Sequence, residues 1–233
     1  MESLFTNTES HYKLTFTRGE HSFLAMLSVI AKPFDPSLVS LLTPAELKIA
    51  ENYTGTRYSE FVHSRYIAKK AVQNLIPEIP IGNIQVLKGV FEQPVLVISN
   101  CSAAYDVSVS HKDTIAAALV FPQSHPAGID IDVADPANSA ALDRMLTLHE
   151  RQISQPKMIM YTAKEALSKV MRCGLTAPLH FLEVNSLQKD GIFYRGVFTN
   201  ITQYQFISFP GNAYMFTMVF PKNSSFTIEP LFL

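Results

Sequence analysis

The order of apolar and polar positions divides the chain into strand-like and helix-like stretches. Residues 22–31, "SFLAMLSVIA", form a short, almost unbroken apolar run that predicts a strand. A Pro-punctuated loop follows, then a helix opened by Thr43 as N-cap, with Pro44 at the first helical position and Glu46 at the third. "RYSEFVHSRYIAKKAVQNL" predicts a second helix, in which Phe61, Ala68, Val72 and Leu75 recur at helical spacing and Arg65 falls at the edge of the apolar stripe. "IPEIPIGN" ends it. "PVLVISN", "YDVSVSH" and "TIAAALVF" are rich in β-branched residues and predict strands, the last two joined through His111, Lys112 and Asp113.

"PQSHPA", residues 122–127, is the expected linker, dividing the chain into halves at 1–122 and 123–233. Beyond it, "GIDIDV" predicts a strand, Asp135-Pro136 a helix start, and "PKMIMYTAKEALSKVMRCG" a long helix from Pro156 to Gly174. "GIFYRGVF", "QYQFISF", "AYMFTMVF" and "FTIEPLFL" predict four strands, with Gly211-Asn212 turning a hairpin. Each half thus carries strands and a long helix, an α+β pattern without a letter-by-letter internal repeat.

Composition narrows the chemistry. With 47% hydrophobic and 17% charged residues and a formal net charge of -1, the chain has no basic coat for nucleic acid, so an anionic ligand must be met by a local cluster of cations. Cys101 and Cys173 are the two cysteines, and neither a disulfide framework nor a zinc spacing is present, which suits a reducing cytoplasm. The N-terminal stretch reads as neither export signal nor anchor, and "FLAMLSVIA" is too short to span a bilayer.

In a strand over 128–133, Asp130 and Asp132 point to one face and Ile129, Ile131 and Val133 to the other. Two carboxylates in a half-buried site do not both ionise cheaply without a cation, and hard oxygen donors suit Mg²⁺ or Mn²⁺. The plainer alternative is a solvated edge-strand face. On the long helix, Thr162, Glu165 and Lys169 share a stripe beside the apolar Ile159, Ala163, Ala166, Leu167 and Val170. A simple Glu-to-Lys pair at four-residue spacing is the alternative there.

The combination adds a resemblance. "GIDID", followed about thirty residues later by "YTAKEALSK", resembles the paired signature of the Sfp-type 4'-phosphopantetheinyl transferases. "RYSEFVHSRYIAKKAV" resembles the Arg-rich helix of that family's siderophore-synthase branch, "FEQPV" its G-(R/K)-P turn and "SVSHKD" its S-x-S-H element. The resemblance covers residues from about 43 to 172. It departs from the commonest pattern at Asp132, where many members have Glu, and at Tyr161, where many have Trp or Phe.

The resemblance implies two similar α+β halves related by a pseudo-twofold, each a small antiparallel sheet on a long helix, with the active site in the cleft between them. It implies transfer of the phosphopantetheine arm of coenzyme A to a serine of an apo acyl, peptidyl or aryl carrier protein, with release of adenosine 3',5'-bisphosphate. Asp130, Asp132 and Glu165 would hold Mg²⁺, or Mn²⁺. Glu165 would take the serine proton, and Lys169 would stabilise the leaving phosphate. Arg57, Arg65, His111 and Lys164 would bind the coenzyme A phosphates, with Lys69 able to join them. The expected protein is a cytoplasmic monomer serving siderophore, fatty acid or other secondary metabolism, with no nucleic acid or membrane partner. Two alternatives remain: a metal-dependent nucleotide phosphohydrolase, and a non-catalytic module that binds a carrier protein.

Overall fold

The computed structural model describes residues 8–134, 139–211 and 213–231; the predicted helix start at Asp135-Pro136 and the turn residue Asn212 lie outside them. The architecture is α+β with antiparallel sheets. The chain separates into two compact units, one built mainly from residues up to Pro126 together with residues from Ser224 onward, the other from Ala127–Asn223.

In the first unit the strands β1 (Glu9–Arg18), β2 (His21–Ala31), β3 (Ile84–Lys88), β4 (Pro94–Ile98), β5 (Tyr105–Lys112) and β6 (Ile115–Pro122) accompany the helices α1 (Pro44–Ala50) and α2 (Gly55–Leu75). The last strand of the chain, here β12 (Ser225–Leu231), pairs with β1, giving an antiparallel sheet ordered β12-β1-β2-β6-β5, while β3 and β4 form a separate hairpin. A division of the chain at 122/123 therefore misplaces the C-terminal strand, whose partner lies more than two hundred residues away in sequence. The turn between β5 and β6 is also tighter than expected. His111 and Lys112 belong to β5, paired with Ala116 and Ile115, leaving Asp113 and Thr114 as the connection.

Helix α2 lies on β2 and β6, burying Ile67, Ala68, Ala71 and Val72 against Met26, Ile30, Ala116, Ala118 and Val120. Its middle is buried beyond the apolar stripe: His63, Ser64, Arg65 and Lys69 are also shielded from solvent. The expected linker is a packed segment. His125 is 1% exposed, with its ring stacked 4.5 Å from Phe16 and hydrogen-bonded through Nε2 to Ser224 Oγ.

The second unit contains β7 (Gly128–Val133), α3 (Ser139–Arg144), α4 (Leu148–Gln152), α5 (Lys157–Met171), β8 (Val184–Asp190), β9 (Phe193–Phe198), β10 (Tyr204–Gly211) and β11 (Tyr214–Pro221), with sheet order β7-β11-β10-β9-β8. Helix α5 covers β7 and β11 with Ile159, Ala163, Ala166 and Leu167. Gly128 sets how close it comes: a Cβ there would sit 2.4 Å from the Ala166 carbonyl oxygen and 2.8 Å from Val170 Cγ2. Only a residue without a side chain lets this helix settle onto the strand. Since Gly128, Asp130 and Asp132 share a face of β7, that approach carries the helix's polar stripe towards the aspartates.

The same stabilising device occurs once in each unit. In the first, Glu46 closes a capping box with Thr43, accepts the Val86 backbone N–H at Oε1, and pairs at 2.6 Å with a fully buried Lys69, whose ammonium also donates to the Leu41 carbonyl. In the second, Glu150 closes a capping box with Thr147, accepts from Val184 N–H, and pairs at 2.5 Å with a fully buried Lys164, which also donates to the Met145 carbonyl. Burial of such a pair is tolerable because the remaining hydrogen-bonding capacity is met as well. The sequence carries the echo in "LLTPAE" and "MLTLHE", a repeat too short to stand out by letters.

Candidate active site

Two clusters of polar side chains carry chemistry, one in each unit. The first is acidic and lies where α5 crosses β7. Asp130 is 7% exposed and accepts a hydrogen bond from the Lys169 ammonium at 2.8 Å; the same ammonium donates to the Ile129 carbonyl at 2.9 Å. Glu165, one turn before Lys169, accepts at Oε1 from the Tyr161 hydroxyl at 3.0 Å. Burial, and then the Asp130 charge, push the Glu165 carboxyl above its usual range, against the opposing pull of Lys169 and of the Tyr161 hydrogen bond; Asp132 adds to the upward push. Burial and the Glu165 charge likewise raise the Tyr161 phenol. Asp132 is less buried than Asp130 and accepts the N–H of its neighbour Val133 at 2.7 Å.

Three carboxylates thus share a semi-buried site with one ammonium, and their mutual repulsion is expressed at Glu165. Hard oxygen donors with excess negative charge match a hard divalent cation. Among the described residues, however, no three His, Cys, Asp or Glu side chains converge as a ready metal-binding group. That arrangement fits Mg²⁺ in its usual habit, held by one or two carboxylates with water and ligand phosphate oxygens completing the shell, better than a cage of three protein ligands.

The second cluster is cationic and belongs to α2 and its surroundings. A pocket of about 420 Å³ is lined by Arg57, Ser64 and Arg65 of α2, Lys88 at the end of β3, and His111 of β5, with Phe61 and Tyr53 beside them. Arg65 is 8% exposed; its guanidinium carbon lies 4.0 Å from the centroid of the Phe61 ring, and Nε donates to the Val86 carbonyl at 3.2 Å. A ring face and a carbonyl thus answer part of the cost of burying this guanidinium. Desolvation still lowers its pKa, opposed by the Glu46 charge. His111 Nδ1 is 3.6 Å from Glu60 Oε1, and Lys88 pairs with Glu92 at the rim.

Arg57, Arg65 and His111 therefore meet in one pocket, while Asp130, Glu165 and Lys169 meet at the other cluster with Asp132 electrostatically coupled to it. Lys164 and Lys69 do not line the cationic pocket. Both are fully buried in the ion pairs with Glu150 and Glu46, and neither forms the solvated helix surface that is a lysine's ordinary state. Two contributions escape the sequence reading, that of Lys88 and the hydrogen bond made by Tyr161. Lys88 reaches the pocket only through the β3–β4 hairpin, and no local pattern singles it out. The Tyr161 hydroxyl orients Glu165, and its four-residue spacing from that glutamate was the available signal.

No family model and no curated relative matches the chain. Among solved structures, it is similar to a holo-(acyl-carrier-protein) synthase from Bacillus anthracis strain Ames in complex with coenzyme A (3',5'-ADP), at 22% identity and a TM-score of 0.38, over 48% of this chain and 96% of that one.

Proposed function

We propose that this protein is a 4'-phosphopantetheinyl transferase that moves the phosphopantetheine arm of coenzyme A to a serine of an apo carrier protein. The observation that carries the reading is the gathering of Arg57, Arg65 and His111, separated by up to 54 residues (111 − 57), around one pocket of nucleotide-phosphate size together with Lys88. Guanidinium and ammonium donors beside an aromatic ring suit a phosphorylated nucleotide. The motif resemblance of residues 128–132 and 161–169 supplies the reaction class.

The serine oxygen attacks the pantetheine-side phosphorus, the phosphoanhydride P–O bond breaks, and adenosine 3',5'-bisphosphate leaves. Glu165, whose basicity is raised by burial and by Asp130, accepts the serine proton. The Tyr161 hydroxyl holds its carboxylate in orientation. Lys169 commits two of its three donors, to Asp130 and Ile129, and its remaining donor would stabilise the leaving phosphate, where charge develops. One or two of Asp130, Asp132 and Glu165 would hold Mg²⁺, and the ion would supply charge neutralisation at the pyrophosphate when bound.

The test incubates the protein with coenzyme A, Mg²⁺ and several apo carrier proteins and reads carrier mass. A gain of one phosphopantetheine is expected. Cleavage of coenzyme A with every carrier unchanged identifies a phosphohydrolase instead, and carrier binding without either change identifies a binding module.

A further inference from the structure

Ser64 differs from three other helical hydroxyls of this protein. A serine or threonine inside a helix ordinarily returns its hydroxyl to a carbonyl of the preceding turn. Ser59 does so to Gly55, Thr162 to Met158 and Ser168 to Glu165. Ser64 does not: the residue is 2% exposed and its Oγ has no hydrogen-bond partner among the described residues. A buried hydroxyl without a partner costs the fold its desolvation, and native structures rarely keep one without reason.

Its neighbours supply the reason. Ser64 borders the cationic pocket, directly before Arg65 and three residues after Phe61, the ring on which the Arg65 guanidinium rests. We propose that the Ser64 hydroxyl is a phosphate-binding group of this pocket, donating to an oxygen of the bound nucleotide. The proposal rests on the reading in which Arg57, Arg65 and His111 hold coenzyme A. Arginine, lysine and histidine place charge around a phosphate but are long or exposed; a short hydroxyl on a rigid helix fixes the position of one oxygen. Its unmet hydrogen bond is satisfied only when a ligand arrives, so the same group weakens the empty protein and tightens the filled one.

Those two effects have opposite signs, and one substitution reads both. In Ser64→Ala the Tm of the ligand-free protein should equal or exceed that of the wild type, because a buried unsatisfied oxygen is replaced by a methyl group. Titration calorimetry should give roughly tenfold weaker binding of coenzyme A and of 3',5'-ADP, the loss expected for one hydrogen bond to a charged acceptor. Dephospho-coenzyme A locates the bond: a loss that persists with it assigns the pyrophosphate, and a loss that disappears assigns the 3'-phosphate. Wild-type affinity retained by Ser64→Ala within twofold for coenzyme A and 3',5'-ADP, or a lowered Tm, overturns the assignment while leaving the pocket reading intact. Failure of the wild-type protein to bind either nucleotide overturns both.

Discussion

The Lys169 ammonium lies 2.8 Å from Asp130 Oδ1, joining a helix and a strand across 39 residues of sequence. In the proposed transfer this cation serves charge that appears late in the reaction rather than ground-state binding. Lys169→Ala should therefore slow transfer strongly and leave the Kd for coenzyme A within a few-fold, as separate turnover and equilibrium-binding measurements will show. An equal loss in both would contradict this placement.

Asp130 and Asp132 should differ. Asp130 is the more deeply buried and carries the ion pair, so Asp130→Ala should abolish activity at any Mg²⁺ concentration. Asp132 is more open and already accepts its neighbour's N–H. Asp132→Ala should retain activity that rises with added Mg²⁺, and Asp132→Glu should be tolerated. Rates across a Mg²⁺ titration distinguish these outcomes, and metal-independent, unchanged rates in both alanine variants would sink the metal-site reading.

Lys164 separates a structural lysine from a phosphate-binding one. With both partners fully buried, Lys164→Ala removes the ion-pair partner of Glu150, and should cost about 3 kcal/mol of stability. At a temperature where the variant remains folded, its KM for coenzyme A should match the wild type. Denaturant titration and steady-state kinetics check the two halves of the prediction.

Arg65→Lys tests whether the guanidinium plane matters beyond its charge. The stack on Phe61 and the hydrogen bond to Val86 suit a planar group with a donor at Nε. The variant should fold, raise the KM for coenzyme A and change kcat less. A variant with kinetics identical to wild type would show that charge alone suffices.

The buried histidines should make stability fall on mild acidification, against an opposing contribution from Glu165. Burial lowers the pKa of His63 and of His125, so each is neutral in the fold. As pH drops below about 6.5, the unfolded chain takes up protons that the folded protein does not, so stability is present above that value and is lost as the pH falls towards the folded-state values. The urea midpoint should be lower at pH 5.5 than at pH 7.5. In His125→Phe, which keeps a ring against Phe16 and Phe23, the difference should shrink; an unaltered difference would assign the acid sensitivity elsewhere.

The sequence by itself determined the elements whose chemistry is local. Thr43, Pro44 and Glu46 mark the start of α1 because a capping box is closed within four residues, and the alternation of "GIDIDV" places both aspartates on one face because a strand has period two. The spacing of Glu165 and Lys169 puts them on one helix stripe for the same kind of reason. What lies opposite that stripe was open, because helix periodicity is silent about distance to a strand; the missing side chain of Gly128 decides it. β1 is not among the predicted strands although Tyr12, Leu14 and Phe16 alternate, since its pairing with β12 depends on a partner that no local window contains. The fates of the lysines were beyond local reading too. Lys164 and Lys69 look like surface residues until Glu150 and Glu46 arrive from other elements, while Lys88 looks ordinary until the β3–β4 hairpin brings it beside Arg65. Charge is a property of a residue, but its solvation and partners are set by the packing of distant segments.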